Sequence, residues 1–113
     1  LMDLGLAGRR ALVTGASSGL GLSSAAALAA EGVRVVMVAR DADRLGRAAA
    51  TVEGDVHVLP GDVSDIDGVG ELVATAAQML GGLDILVANA GGPPAGTFAS
   101  TGLDAYLPAL ELN

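Results

Sequence analysis

The residues best suited to chemistry form one run, Thr14-Gly15-Ala16-Ser17-Ser18-Gly19-Leu20-Gly21. Glycines in such a run leave backbone amides open to an anion, and a pyrophosphate is the anion that fits. Gly15 permits a sharp strand-to-helix turn. Gly19 lets the backbone approach a phosphate with no Cβ in the way, and Gly21 allows close helix–strand packing. The first amides of the following helix then point at the phosphates. Ser17 and Ser18 add hydroxyl donors, and Leu20 completes the expected contact set. No Gly-Lys-Ser/Thr follows, so this is not a Walker loop. Taken alone, the run would be a flexible turn. An apolar strand before it and an alanine-rich helix after it make it a nucleotide site.

A second candidate closes the next apolar run, which ends Val38-Ala39-Arg40. A site selective for NAD carries an acidic residue near that point to hold the ribose hydroxyls. Here a neutral Ala39 is followed by Arg40. A guanidinium can pair with two oxygens of a 2′-phosphate, so the pattern favours NADP, with NAD the second choice. The plain alternative is a solvated arginine at a helix start, with Asp41 and Asp43 close by.

Composition excludes other chemistries. All six basic residues among the 113 are arginine, and there is no cysteine. Without lysine there is no Schiff base and no phosphate-loop lysine. Without cysteine there is no thiolate catalysis and no cysteine-ligated metal. His57 has apolar neighbours and no metal-ligand partner, so a structural or surface histidine is expected. Tyr106, the single tyrosine, shares helical spacing with Leu103, Leu107 and Leu110 and reads as packing. Asp65, Asp67 and Glu71 lie near a helix start and suit its dipole. The net charge of −7 argues against a nucleic-acid or anionic-membrane surface. No apolar run approaches the ~20 residues that span a bilayer. Leu1 to Gly8 has no basic segment followed by an apolar stretch, so no signal peptide is expected. These features together predict a cytoplasmic location.

Elements that position these residues can be read from periodicity. Ala11-Leu12-Val13 predicts a buried strand and Leu20–Glu31 a helix stopped by Gly32. Val33–Ala39 predicts a second strand. Asp41 to Val52 predicts a second helix, capped by Asp41 or Asp43, with Leu45, Ala48, Ala49 and Val52 at helical spacing. Val56–Leu59 predicts a third strand. Ser64 is the expected cap of a third helix carrying Ile66, Val69, Leu72, Val73, Ala76 and Leu80 on one face. Gly81-Gly82 ends it, and Leu83–Ala88 predicts a fourth strand. A Gly/Pro loop from Asn89 to Ser100 leads to a helix from Thr101 to Asn113, opened by a Thr101/Asp104 capping box. Pro108 is awkward inside that helix. The order βαβαβαβα with apolar strands predicts one α/β domain: a doubly wound parallel sheet, or Rossmann fold, covered on both faces.

At this point the sequence resembles the short-chain dehydrogenase/reductase family. Beside the glycine run, Asp62-Val63 resembles the family's adenine-contacting pair. Asn89-Ala90-Gly91 resembles its Asn-Ala-Gly motif, in which Asn89 would steady the central sheet and Ala90-Gly91 lie along the cofactor ribose. Asn113 falls where the family has the asparagine of its catalytic tetrad. Gly92-Pro93-Pro94 and Thr97-Phe98 further resemble bacterial 3-oxoacyl-acyl-carrier-protein reductase-like members. The resemblance implies the strand order 3-2-1-4. It also implies hydride transfer between nicotinamide and a small-molecule carbonyl or secondary alcohol, and a homo-oligomer at full length.

The family's Tyr-x-x-x-Lys is absent. Leu110 stands where a lysine paired with Tyr106 would fall. The 113 residues are therefore expected to be the N-terminal, cofactor-binding half of a longer enzyme, inactive and marginally stable alone. The alternatives are a stand-alone, non-catalytic dinucleotide-binding module and a sensor that reuses the fold.

Overall fold

The computed structural model describes residues 5–63 and 66–89. The expected cap Ser64 and acid Asp65 lie outside the described residues, as do Ala90, Gly91, the loop after them, the last helix with Tyr106, and Asn113.

The strands fall on the short apolar runs, most of them rich in valine. β1 spans Arg10–Val13, β2 Arg34–Ala39, β3 Val56–Pro60 and β4 Ile85–Val87. The helices between them are α1 Gly19–Ala30, α2 Ala42–Ala50 and α3 Ile66–Leu80. All the strand pairs are parallel, in the order β3-β2-β1-β4. The fold is a Rossmann-like doubly wound sheet.

Alternation along the strands sorts the core into two layers, because successive side chains leave opposite faces. Ala11, Val13, Val35, Met37 and Ala39 pack with Ala25 and Ala29 of α1 and Leu45 and Ala48 of α2. Leu12, Val36 and Val38 pack on the other face with Val69, Val73, Ala76 and Leu80 of α3. Among the described residues Leu12, Met37 and Leu45 are the largest fully buried side chains. Burial of each contributes ~1.5–3 kcal/mol. On α1 the buried contacts are alanine and glycine, which brings its axis close to the sheet.

The helix stops match the sequence signals. Gly32 takes φ +84°, its N–H donates to Ala29 O at 3.0 Å, and Val33 N–H donates to Leu28 O at 3.1 Å. This is a Schellman stop, which needs a left-handed residue that glycine adopts without strain. Gly81, at φ +80°, ends α3, and Gly82 N–H returns to Ala77 O at 2.8 Å. The choice between Asp41 and Asp43 falls to Asp41, whose carboxylate accepts the Arg44 N–H at 3.1 Å.

Two expectations shift. α2 ends at Ala50 rather than near Val52, because the Thr51 hydroxyl donates to Ala48 O at 2.7 Å and closes the last turn. β3 is not a buried strand. It lies at a sheet edge, with His57, Val58 and Pro60 exposed and only Val56 and Leu59 turned toward the core layers.

Candidate functional site

Parallel strands end together, so the residues that follow them share one edge of the sheet. Val13 is level with Met37 and Val87, and Ala39 is level with Pro60. That edge therefore carries the Thr14–Ser18 turn, Arg40, Gly61-Asp62-Val63, and Ala88-Asn89. Ligands in open α/β sheets bind at this end, where the chain leaves β1 for one neighbour and β4 lies on the other side.

Two backbone bonds hold the turn after β1, and a third ties the end of β3 to the end of β2. Thr14 N–H donates to Val87 O at 3.0 Å, Ala16 N–H to Val38 O at 2.9 Å, and Gly61 N–H to Ala39 O at 2.9 Å. The Thr14 side chain, 1% exposed, joins the turn to the fourth strand's end. Its hydroxyl accepts the Asn89 N–H at 2.8 Å and donates to Asn89 O at 3.1 Å. The sequence alone gives Thr14, at the head of the glycine run, no role. The signal was available only as a threonine in an apolar strand end, where a hydroxyl needs a partner.

Gly15 and Gly19 take φ +59° and +57°, the left-handed conformation that L side chains avoid. Gly21 is required for a different reason. A Cβ there would collide with the Gly15 carbonyl, 2.6 Å from its carbon, and would lie 2.9 Å from Asn89 Nδ2. The first turn of α1 is thus pressed against the glycine turn and Asn89.

Ser18 occupies the N-cap of α1 in an extended conformation, and its hydroxyl makes no capping bond. The first turn holds no acidic residue. Gly19, Leu20 and Gly21 come before the first residue whose amide can find a carbonyl inside the helix, which is Leu22, bonded to Ser18 O at 3.3 Å. These amides carry roughly half a positive charge. Ser17 is half-buried, Ser18 and Gly19 are exposed, and Leu20 is 67% exposed.

Arg40 is exposed at the end of β2, and no ion pair joins it among the described residues. Asp62 is exposed after β3, while Val63 packs against the α3 layer of the core. Asn89 is half-buried. The structure therefore gathers Gly15, Ser17, Ser18, Gly19, Leu20, Gly21, Arg40, Asp62, Val63 and Asn89 at one sheet edge.

The ion pairs among the described residues lie at the opposite edge. Arg10 clasps Asp84 through Nε at 3.0 Å and Nη2 at 3.1 Å, and its Nη1 reaches Gly81 O at 2.8 Å. Hydrogen bonds from the Arg10 side chain and backbone N–H hold the Asp84 carboxyl down at about 2. Arg34 and His57 share Asp55, with Nε–Oδ2 at 3.0 Å and Nε2–Oδ1 at 2.7 Å. The Arg34 hydrogen bond lowers the Asp55 carboxyl below its ordinary value. His57 is thus a paired surface histidine. Among the described residues no cluster of histidine and acids could hold a metal ion, and no helix is long and apolar enough to cross a membrane.

Fold and strand-end geometry define a Rossmann-like α/β protein. The family model described as short chain dehydrogenase matches residues 9–113, and the chain belongs to that family. A glucose 1-dehydrogenase of Gluconobacter oxydans is 43% identical over 89 residues, covering 75% of this chain and 34% of its own length. The L-sorbose reductase of Gluconobacter frateurii, solved with NADPH and L-sorbose, superposes with a TM-score of 0.73 at 42% identity, over 80% of this chain and 36% of that one. A hydroxysteroid dehydrogenase from Escherichia coli gives 0.70 at 32% identity, over 77% of this chain and 37% of that one. The chain spans less than two fifths of the length of these relatives.

Proposed function

We propose that residues 1–113 form the dinucleotide-binding half of a cytoplasmic, NADP-dependent short-chain oxidoreductase. The observation that carries this reading is the α1 N-terminus. Its amides lack internal acceptors, no acid competes for them, and Gly21 closes the turn against Gly15 and Asn89. A pyrophosphate fits such a cradle, with the Ser17 and Ser18 hydroxyls as further donors. Leu20 offers apolar surface beside it. Asp62 and Val63 would hold the adenine, Asn89 would steady the central sheet, and Ala90 and Gly91 would lie along the ribose.

Arg40 supports the choice of NADP. It is an exposed cation at the end of β2, without an ion-pair partner among the described residues, in a chain of net charge −7. The NADPH-bound reductase from Gluconobacter frateurii is a relative in keeping with that choice.

The bound nicotinamide would supply or accept the hydride, and the protein would orient it. The substrate would be a small carbonyl or secondary alcohol. Asn113 would belong to the proton relay, and the remaining catalytic groups would come from a Tyr-x-x-x-Lys segment that these residues do not contain. The 113 residues alone would bind cofactor without turnover, and the full-length enzyme would be a homo-oligomer.

Titration with NADPH and NADH, read by nicotinamide fluorescence, tests the reading. NADPH is expected to bind more tightly. Arg40→Ala should weaken NADPH about 10- to 100-fold, the worth of one charge-assisted contact, and leave NADH nearly unchanged. A folded sample that binds neither cofactor overturns the proposal.

A further inference from the structure

Asp41, the cap of α2, is an acid one residue beyond Arg40. An acid near the end of β2 is the group that would hold ribose hydroxyls and reject a 2′-phosphate. Here it does something else. Asp41 is the N-cap of α2, with φ −90° and ψ 106°, and its Oδ1 accepts the Arg44 N–H at 3.1 Å. A carboxylate at an N-cap sits at the positive end of the helix, where its charge is balanced by the dipole. The cap also fixes the backbone at the point where β2 passes into α2, directly after Arg40. Arg40 itself forms no ion pair with Asp41 or Asp43 among the described residues.

We infer that Asp41 is a positioning residue for cofactor selectivity: by capping α2 it withdraws its carboxylate from the ribose and holds Arg40 free for a 2′-phosphate. This rests on the dinucleotide reading above. The acid and the arginine then do not compete. The helix takes the acid, and the arginine remains available to the cofactor.

Binding of NADPH and NADH to the whole chain separates the roles. Asp41→Asn keeps a cap of equal quality and removes the charge. It should leave NADH unchanged and NADPH unchanged or a few-fold tighter. Asp41→Ala removes the cap and should lower the NADPH-to-NADH affinity ratio about tenfold. Asp41→Gly removes the side chain with less damage to the helix start, and should lower the same ratio if the alanine variant does not fold. General destabilisation would weaken both cofactors together and leave the ratio in place.

Two results overturn the inference. If Asp41→Asn weakens NADH several-fold, Asp41 is a direct ribose ligand. If neither Asp41→Ala nor Asp41→Gly moves the ratio, the cap does not position Arg40. A wild-type chain that binds neither cofactor removes the dinucleotide reading as well, which distinguishes that failure from the other two.

Discussion

Gly21→Ala is the sharpest test of the proposed cradle. The added methyl would overlap the Gly15 carbonyl oxygen and lie 2.6 Å from its carbon, with Asn89 Nδ2 also too near at 2.9 Å. Both neighbours are held. The next residue after Gly15 is bonded to β2 through Ala16 N–H, and the Asn89 backbone is bonded to the buried Thr14 hydroxyl. Relief therefore has to come from the first turn of α1 moving away from the sheet. Overpacking of this kind costs ~1–3 kcal/mol, partly offset by the ~1 kcal/mol by which alanine exceeds glycine in helix propensity. A modest loss of stability, of ~0–2 kcal/mol, is expected from urea denaturation. The larger effect should fall on binding, because the displaced amides are those offered to the phosphates. Loss of one charge-assisted hydrogen bond weakens NADPH about 10- to 100-fold. Gly46→Ala is the matched control. It lies inside α2 with nothing within 4 Å of its added methyl. It should stabilise the fold by up to ~1 kcal/mol and leave NADPH binding alone. A Gly21→Ala chain with wild-type NADPH affinity would refute the argument that this close approach shapes the cradle.

Thr14→Val should cost ~1–3 kcal/mol in urea denaturation, because the Asn89 N–H loses its hydroxyl acceptor, while Thr14→Ser should restore most of it. Equal stability of the valine and serine variants would show that the hydroxyl bond contributes nothing. Asp84 gives a pH prediction with a definite sign. Its folded value of about 2 lies below the ordinary 3.8, so its contribution is complete above about pH 4 and is lost as pH falls toward 2. Asp84→Asn should flatten the acid limb of a stability-versus-pH curve in that window, and an unchanged limb would count against the Arg10–Asp84 clasp.

The elements were legible in the sequence because each rests on local rules. Apolar runs gave the strands, Gly32 and Gly81 gave the helix stops, and the Val69/Val73/Ala76/Leu80 spacing gave the buried face of α3. The glycine run was legible for the same reason: left-handed φ at Gly15 and Gly19 is a local demand. The exposure of β3 was not legible in its own residues, since Val56–Pro60 is apolar enough for an interior strand; it follows from the edge position that the order β3-β2-β1-β4 gives it.

The sequence by itself determined the α/β alternation, the turn that suits a phosphate, and the presence of an arginine where NAD-selective sites carry an acid. It could not decide which groups meet across the chain. Thr14 finds Asn89, and Arg10 finds Asp84, at separations of more than 70 residues, because the parallel sheet lays β4 beside β1. Such bonds depend on strand order and register, which no local preference encodes. The choice between two neighbouring acids was also left to the folded chain. Asp41 and Asp43 are equal as cap candidates in the sequence, and the point at which β2 turns into α2 gives the cap to Asp41.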